Sequence, residues 1–120
     1  MRFIVPIRTV SEANRREHWA AKAKRAKAQR EAARVISITE LRRVDRAIHV
    51  MDICHRITLT RVAPRKLDTD NLARSLKAVR DGIADALGID DGDERVVWLY
   101  AQRRGAPKTY EVEVEITEEA

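Results

Sequence analysis

The sequence predicts a single α+β domain of order β-α-β-α-β-β, with one mixed sheet and two main helices. Three observations predict it. A chain of 120 residues is one domain by length. Leu72, Leu76, Val79, Ile83 and Leu87 recur at the 3.6-residue period of an amphipathic helix. Tyr110, Val112, Val114 and Ile116 alternate with Glu111, Glu113 and Glu115, the period-2 pattern of a strand with one buried face.

The other elements follow in chain order. Arg2 to Val10 reads as a short strand, and Pro6, which has no N–H to give a ladder, marks it as an edge. Ser11 is the expected N-cap of a helix from about Asn14 to Ile36, a stretch of Ala, Lys, Arg, Gln and Glu. Ala28, Ala32, Val35 and Ile36 offer its apolar stripe. Thr39 to Arg46 reads as a continuation of that helix or a loop. Ile48 to Val62 is the longest strand candidate, with Ile53, Ile57 and Leu59 on one face and Arg56, Thr58 and Thr60 on the other. Pro64-Arg65-Lys66 ends it. The second helix runs from Asn71 to Leu87 and is stopped by Gly88. After a turn at Asp90-Asp91-Gly92-Asp93, Val96–Arg103 and Thr109–Thr117 read as a hairpin through Gly105-Ala106-Pro107.

Composition narrows the function classes. A core of this size is marginal alone, so pairing with a second copy is expected. The single Cys54 excludes an intramolecular disulfide and fits a reducing compartment. No apolar run approaches the ~18 residues of a membrane span, and Met1 to Pro6 is too short for a signal peptide. A cytoplasmic protein is expected. The net charge of +5 conceals an asymmetry: Met1 to Lys66 holds 17 Lys/Arg and 6 Asp/Glu, whereas Leu67 to Ala120 holds 7 and 13. A basic half joined to an acidic half points to a polyanion partner and a separate acidic feature. Arg15, Arg16, Lys22, Lys24, Arg25 and Lys27, with Arg30 and Arg34, spread around the first helix, which suits phosphate contact better than base readout. Arg65 and Lys66 extend the DNA-binding set to the start of the second helix.

The acidic feature begins at Asp68 and Asp70. On an extended segment, side chains two residues apart point the same way, and paired carboxylates repel unless a cation lies between them. Mg²⁺ takes one or two carboxylates together with waters and substrate phosphates. The alternative is that Asp70 is the helix N-cap, Asp68 a solvated turn residue and Asp90-Asp91-Gly92 merely a turn. A helix of about 17 residues separates the two acidic groups by ~25 Å, so spacing alone does not bring them together.

The segment Leu67-Asp68-Thr69-Asp70-Asn71-Leu72, the amphipathic helix with Lys77 and Asp81, and Ile89-Asp90-Asp91 before a strand at Val96 resemble the RusA family of small Holliday-junction resolvases. The resemblance implies a homodimeric, Mg²⁺-dependent endonuclease, with Mn²⁺ as an accepted substitute, that makes paired cuts in a four-way DNA junction. It implies a metal site of Asp68, Asp70 and Asp91, and in-line attack of an activated water on the phosphodiester. Two departures stand out. The family's lysine, one turn after the second aspartate, is Arg74 here, and Lys77 lies one turn further on. Arginine binds phosphate but does not give up a proton, which favours Lys77. The longer turn leaves Asp90 or Asp93 as alternative third ligands.

The substitution at Arg74 motivates a second reading, a catalytically inactive branched-DNA-binding protein on the same fold. A nuclease of flap DNA is a third. His18, His49 and His55 lack metal-ligand spacing and read as surface or packing residues, and Cys54 as a small buried hydrophobe. Trp19 reads as packing the first helix on the sheet, and Trp98 and Tyr100 as core or dimer contacts.

Overall fold

The computed structural model describes residues 1–12, 18–44 and 55–118. Four strands and two helices follow in the order β1 (Arg2–Val5), α1 (Trp19–Val44), β2 (His55–Ala63), α2 (Thr69–Leu87), β3 (Val96–Arg104) and β4 (Glu111–Glu118). They form one α+β domain with a mixed sheet of order β1-β4-β2-β3. β1 is an edge strand, as Pro6 implies.

α2 forms because its apolar residues share one face. Leu76, Val79 and Ile83 are fully buried beside Leu72, and Gly88 ends the helix in the left-handed conformation at φ 72°. The chain leaves β2, passes through α2 and returns as β3, parallel to β2 over its whole length, with His55 opposite Val96 and Ala63 opposite Arg104. The inner face of the sheet carries Phe3, Val5, Ile57, Leu59, Val112, Val114 and Ile116, with Trp98 and Tyr100 packed at its border. Arg61 shares the parity of Ile57 and Leu59 and is buried with them. Both helices cover this face. Ile4, Val97 and Leu99 lie on the opposite face and are exposed.

The structure corrects the predicted β3–β4 hairpin. The α2 crossover places β3 parallel to β2 on one side, and β4 inserts on the other side of β2, antiparallel, where it also pairs with β1. The turn at Gly105 therefore passes across the end of β2. Gly105 N–H donates to Ala63 O at 2.9 Å, and a Cβ on Gly105 would lie 2.9 Å from Val62 Cγ1. The turn residues were read correctly and the partner strand was not.

The first helix also differs from expectation. It starts at Trp19 rather than near Asn14 and continues to Val44. Ser11 does not cap it. Instead, the Ala20 N–H donates to His18 Nδ1 at 3.2 Å. Its buried residues are Gln29, Ala33, Ser37 and Leu41; of the expected stripe, Ala28 and Val35 are exposed, whereas Ala32 and Ile36 are half-buried and Ile36 packs against the core. Trp19 is 75% exposed, with its ring 5.4 Å from that of His18, so it does not pack on the sheet. The reason for the rotated face is α2. The two helices meet where Ala33 faces Gly82, and a Cβ on Gly82 would stand 2.8 Å from Ala33 Cβ and 3.0 Å from Arg34 N. Only small residues allow that approach, so the small-residue face turns inward rather than the Ala/Val stripe. Arg30 closes the seam with a two-bond ion pair to Asp85 at 2.6 and 2.8 Å.

Gly82→Ala is expected to destabilise the fold by about 1–3 kcal/mol through overpacking. Gly92→Ala, which meets no atom within 4 Å, is expected to stay within about 0.5 kcal/mol. Urea unfolding of both variants checks this, and equal midpoints would contradict the tight seam.

Candidate functional site

Asp68 and Asp70 stand at the start of α2, held there by an unforeseen clamp. The Gln102 side chain on β3 accepts from Leu67 N–H at 2.9 Å and donates to Leu67 O at 2.7 Å. One side-chain amide thus satisfies the backbone of the segment entering α2 and fixes its position against the sheet. Asp68 occupies the N-cap in an extended conformation, φ −62° and ψ 153°, and its carbonyl accepts from Asn71 and Leu72 N–H. Its side chain makes no capping hydrogen bond. Thr69 is already helical, so Asp70 lies in the first turn rather than on an extended segment. Both aspartates are exposed. Among the described residues neither carboxylate has an ion pair or a hydrogen bond.

One face of α2 continues from Asp70 through Arg74 and Lys77 to Asp81, opposite the buried stripe. Lys77 Nζ lies 3.2 Å from Asp81 Oδ2, an exposed i,i+4 pair worth little in stability and easily broken. Arg74 is exposed and makes no ion pair among the described residues. It is the nearer of the two to Asp70.

Asp91 lies beyond the other end of α2. It belongs to a turn closed by Asp93 N–H donating to Asp90 O at 3.1 Å. Arg80 holds this turn, donating from Nη2 to Asp91 O at 2.5 Å and from Nη1 to the Tyr100 hydroxyl at 2.7 Å, while its guanidinium lies over the Trp98 ring at 4.9 Å. Arg80 Nε is 3.9 Å from Asp91 Oδ2. Arg80 was not singled out in the sequence, although it flanks the α2 stripe on the side that meets the Trp98/Tyr100 face. Asp93 is committed elsewhere: Arg95 holds its carboxylate at 2.7 and 3.0 Å. That pair and the Arg95 backbone N–H pull its pKa down to about 2. Asp90 is exposed.

The three aspartates do not converge within one chain. Arg80, which grips Asp91, is twelve residues along α2 from Asp68, roughly 18 Å of helix rise. Among the described residues no group of three His, Cys, Asp or Glu side chains is placed to hold a metal ion. Asp68 and Asp70 match in number the one or two carboxylates that Mg²⁺ ordinarily takes from a protein, and Asp91 of the same chain is not grouped with them.

The basic set divides likewise. Lys24 and Lys27 are exposed on α1, and Arg65 and Lys66 are exposed before α2. Arg25 is paired with Glu12 at 2.5 Å and Arg34 with Glu31 at 2.6 Å, while Lys22 donates to Glu12 O at 3.3 Å. Arg15, Arg16, His49 and Cys54 lie outside the described residues. No helix among the described residues is long and apolar enough to cross a membrane.

No family model, curated protein or solved structure matches this chain. The reading of the site therefore rests on its motif and its geometry.

The Asp93 carboxyl is expected to titrate near pH 2. A carboxylate depressed in the folded state stabilises the fold above its ordinary pKa and loses that contribution as the pH falls through the folded value. The Asp93–Arg95 pair should therefore support the turn above about pH 4 and release it toward pH 2. Carboxyl-detected NMR should find the depression removed in Arg95→Gln, and an unshifted Asp93 in the parent would contradict the pairing.

Proposed function

We propose that this protein is a Mg²⁺-dependent endodeoxyribonuclease that resolves four-way DNA junctions as a homodimer. The observation that carries the reading is the pair Asp68 and Asp70: two exposed carboxylates at a helix start, neither spent on capping or on an ion pair. Two exposed carboxylates two residues apart at a helix start, with no cationic partner among the described residues, are free to serve as ligands for a hard cation. A divalent ion there, with Mn²⁺ able to replace Mg²⁺, supplies charge neutralisation at a phosphate and a water of lowered pKa.

The chain's own residues orient the substrate. The N–H groups at the start of α2 and the positive end of its dipole face the same place as the two aspartates, and a strand phosphate is attracted there. Arg74 binds a phosphate electrostatically from the next turn, and Lys77, once it leaves Asp81, is the group able to donate a proton to a leaving oxygen. Arg65, Lys66, Lys24 and Lys27 supply sequence-independent contacts to the backbone. In the homodimer Asp91 is supplied to the site by the second copy, since it does not group with Asp68 and Asp70 of its own chain.

A second reading, a catalytically inactive branched-DNA-binding protein, is favoured by the hold of Arg80 on Asp91 and by Arg74 at the lysine position. The two part on activity. Asp70→Asn is expected to lower Mg²⁺-dependent junction cleavage at least about 100-fold while binding persists, and equal cleavage by parent and variant would remove the metal site. Mixing Asp70→Asn with Asp91→Asn subunits tests the shared site. A heterodimer then holds one intact composite site and regains cleavage, whereas sites confined to one subunit stay dead. Binding without cutting by the parent in Mg²⁺ or Mn²⁺ would establish the inactive reading.

A further inference from the structure

At the carboxyl end of β2 an open cavity of about 520 Å³ is lined by Arg8, Ser11, Arg61, Arg65 and Tyr110, among others. Arg61 is the unusual member. It sits on the apolar face of the sheet and is only 6% exposed, yet every acceptor it meets is neutral: Thr9 Oγ1 at 3.0 Å, Arg65 O at 2.7 Å and Thr9 O at 3.4 Å. Burial lowers its pKa, and the like charge of Arg8 lowers it further. Arg8 stacks over the Tyr110 ring at 4.3 Å, and Arg65 is exposed at the mouth.

Among the described residues no carboxylate pairs with Arg8, Arg61 or Arg65. Glu12, the nearest acid on the loop after β1, is taken by Arg25. Ser11 Oγ is buried in the same lining without a hydrogen-bond partner. Three cations, an orphaned hydroxyl and no acid leave a concentrated positive potential that the protein does not itself neutralise.

We propose that this pocket receives a backbone phosphate of a bound nucleic-acid strand. Guanidinium groups offer the paired donors that match phosphate oxygens, and a hydroxyl completes a tetrahedral acceptor set. The cavity is open and larger than one phosphate, as a group carried on a polymer requires. Its place also fits. Arg65 precedes Asp68 by three residues, at most about 11 Å of chain, so one strand can span both sites. The inference rests on the nucleic-acid reading above and deepens it, adding a positioning site that fixes where the strand lies relative to Asp68 and Asp70.

The test uses the full chain and the two exposed arginines, since Arg61 is part of the core. Inorganic phosphate, titrated at fixed ionic strength, should shift the Arg61 Nε–H resonance, and Arg8→Gln/Arg65→Gln should weaken that binding about 10-fold. Junction affinity measured against salt should show a slope shallower by about 0.9 in the double variant, the signature of one lost phosphate contact. A merely structural loss would leave the slope alone. No shift at Arg61, or an unchanged slope while Asp70→Asn still abolishes cutting, overturns the pocket and leaves the nuclease reading standing. Phosphate binding by a chain with no affinity for DNA overturns both.

Discussion

Burial of the α2 stripe against the parallel pair β2 and β3 is the constraint from which the rest of the structure follows. Leu76, Val79 and Ile83 each lose all contact with water, a gain of about 1.5–3 kcal/mol apiece. Helix and strands can bury that stripe together only if the chain crosses over the sheet and returns beside the strand it left. With β3 on one side of β2, β4 takes the other side, and Gly105 carries the chain across the strand end. The same helix sets the distance between the acidic groups. Asp68 and Asp70 stand at one end and Asp91 beyond the other, so the rigidity that makes the fold also keeps the three apart within a chain.

Much of this was legible in the sequence, for definite reasons. The α2 stripe and the β4 alternation are periodic, and periodicity is a local property. Gly88, Pro6 and the Gly105 turn were legible because backbone preference is also local. What could not be read depends on neighbours distant in the chain. The buried side of α1 was only partly legible: Ile36 packs on the core as expected, but Ala33 turns inward against Gly82, a residue far away in the chain. The hairpin was misplaced because a turn sequence states that the chain reverses, not which strand awaits it. Of the site, Asp68 and Asp70 were visible as a spaced pair. The clamp from Gln102, the grip of Arg80 and the inward parity of Arg61 joined residues from different elements. Arg61, two positions after Leu59 on the same face, and Arg80, flanking the α2 stripe, left a trace; the Gln102 clamp left none.

Charge in the folded protein is distributed differently from charge in the sequence. The first helix accounts for much of the basic excess, yet Arg25, Arg30 and Arg34 are matched by Glu12, Asp85 and Glu31. Among the described residues, Lys24 and Lys27 remain unpaired on α1, and a second group of cations without an acidic partner, Arg8, Arg61, Arg65, Lys66 and Arg74, lies near the end of β2 and the start of α2. Positive potential therefore gathers beside the two unpaired aspartates as well as on the helix. A polyanion drawn to that region meets the carboxylates only if a cation comes with it or is already there.

The position of β4 bears on how the chain reaches its native state. Arg2 pairs with Glu115 and Leu59 with Val114, so the last strand in the chain is the one that joins β1 to β2. Until it is made, β1 has no strand to pair with and β2 has one bare edge. Contacts of such long sequence separation are slow to form, and an unfilled slot between two strands is open to a strand from another molecule. The same arrangement that closes the sheet thus makes its closure depend on the strand farthest from β1 in sequence, whereas the β2-α2-β3 unit is built from contacts nearer in sequence.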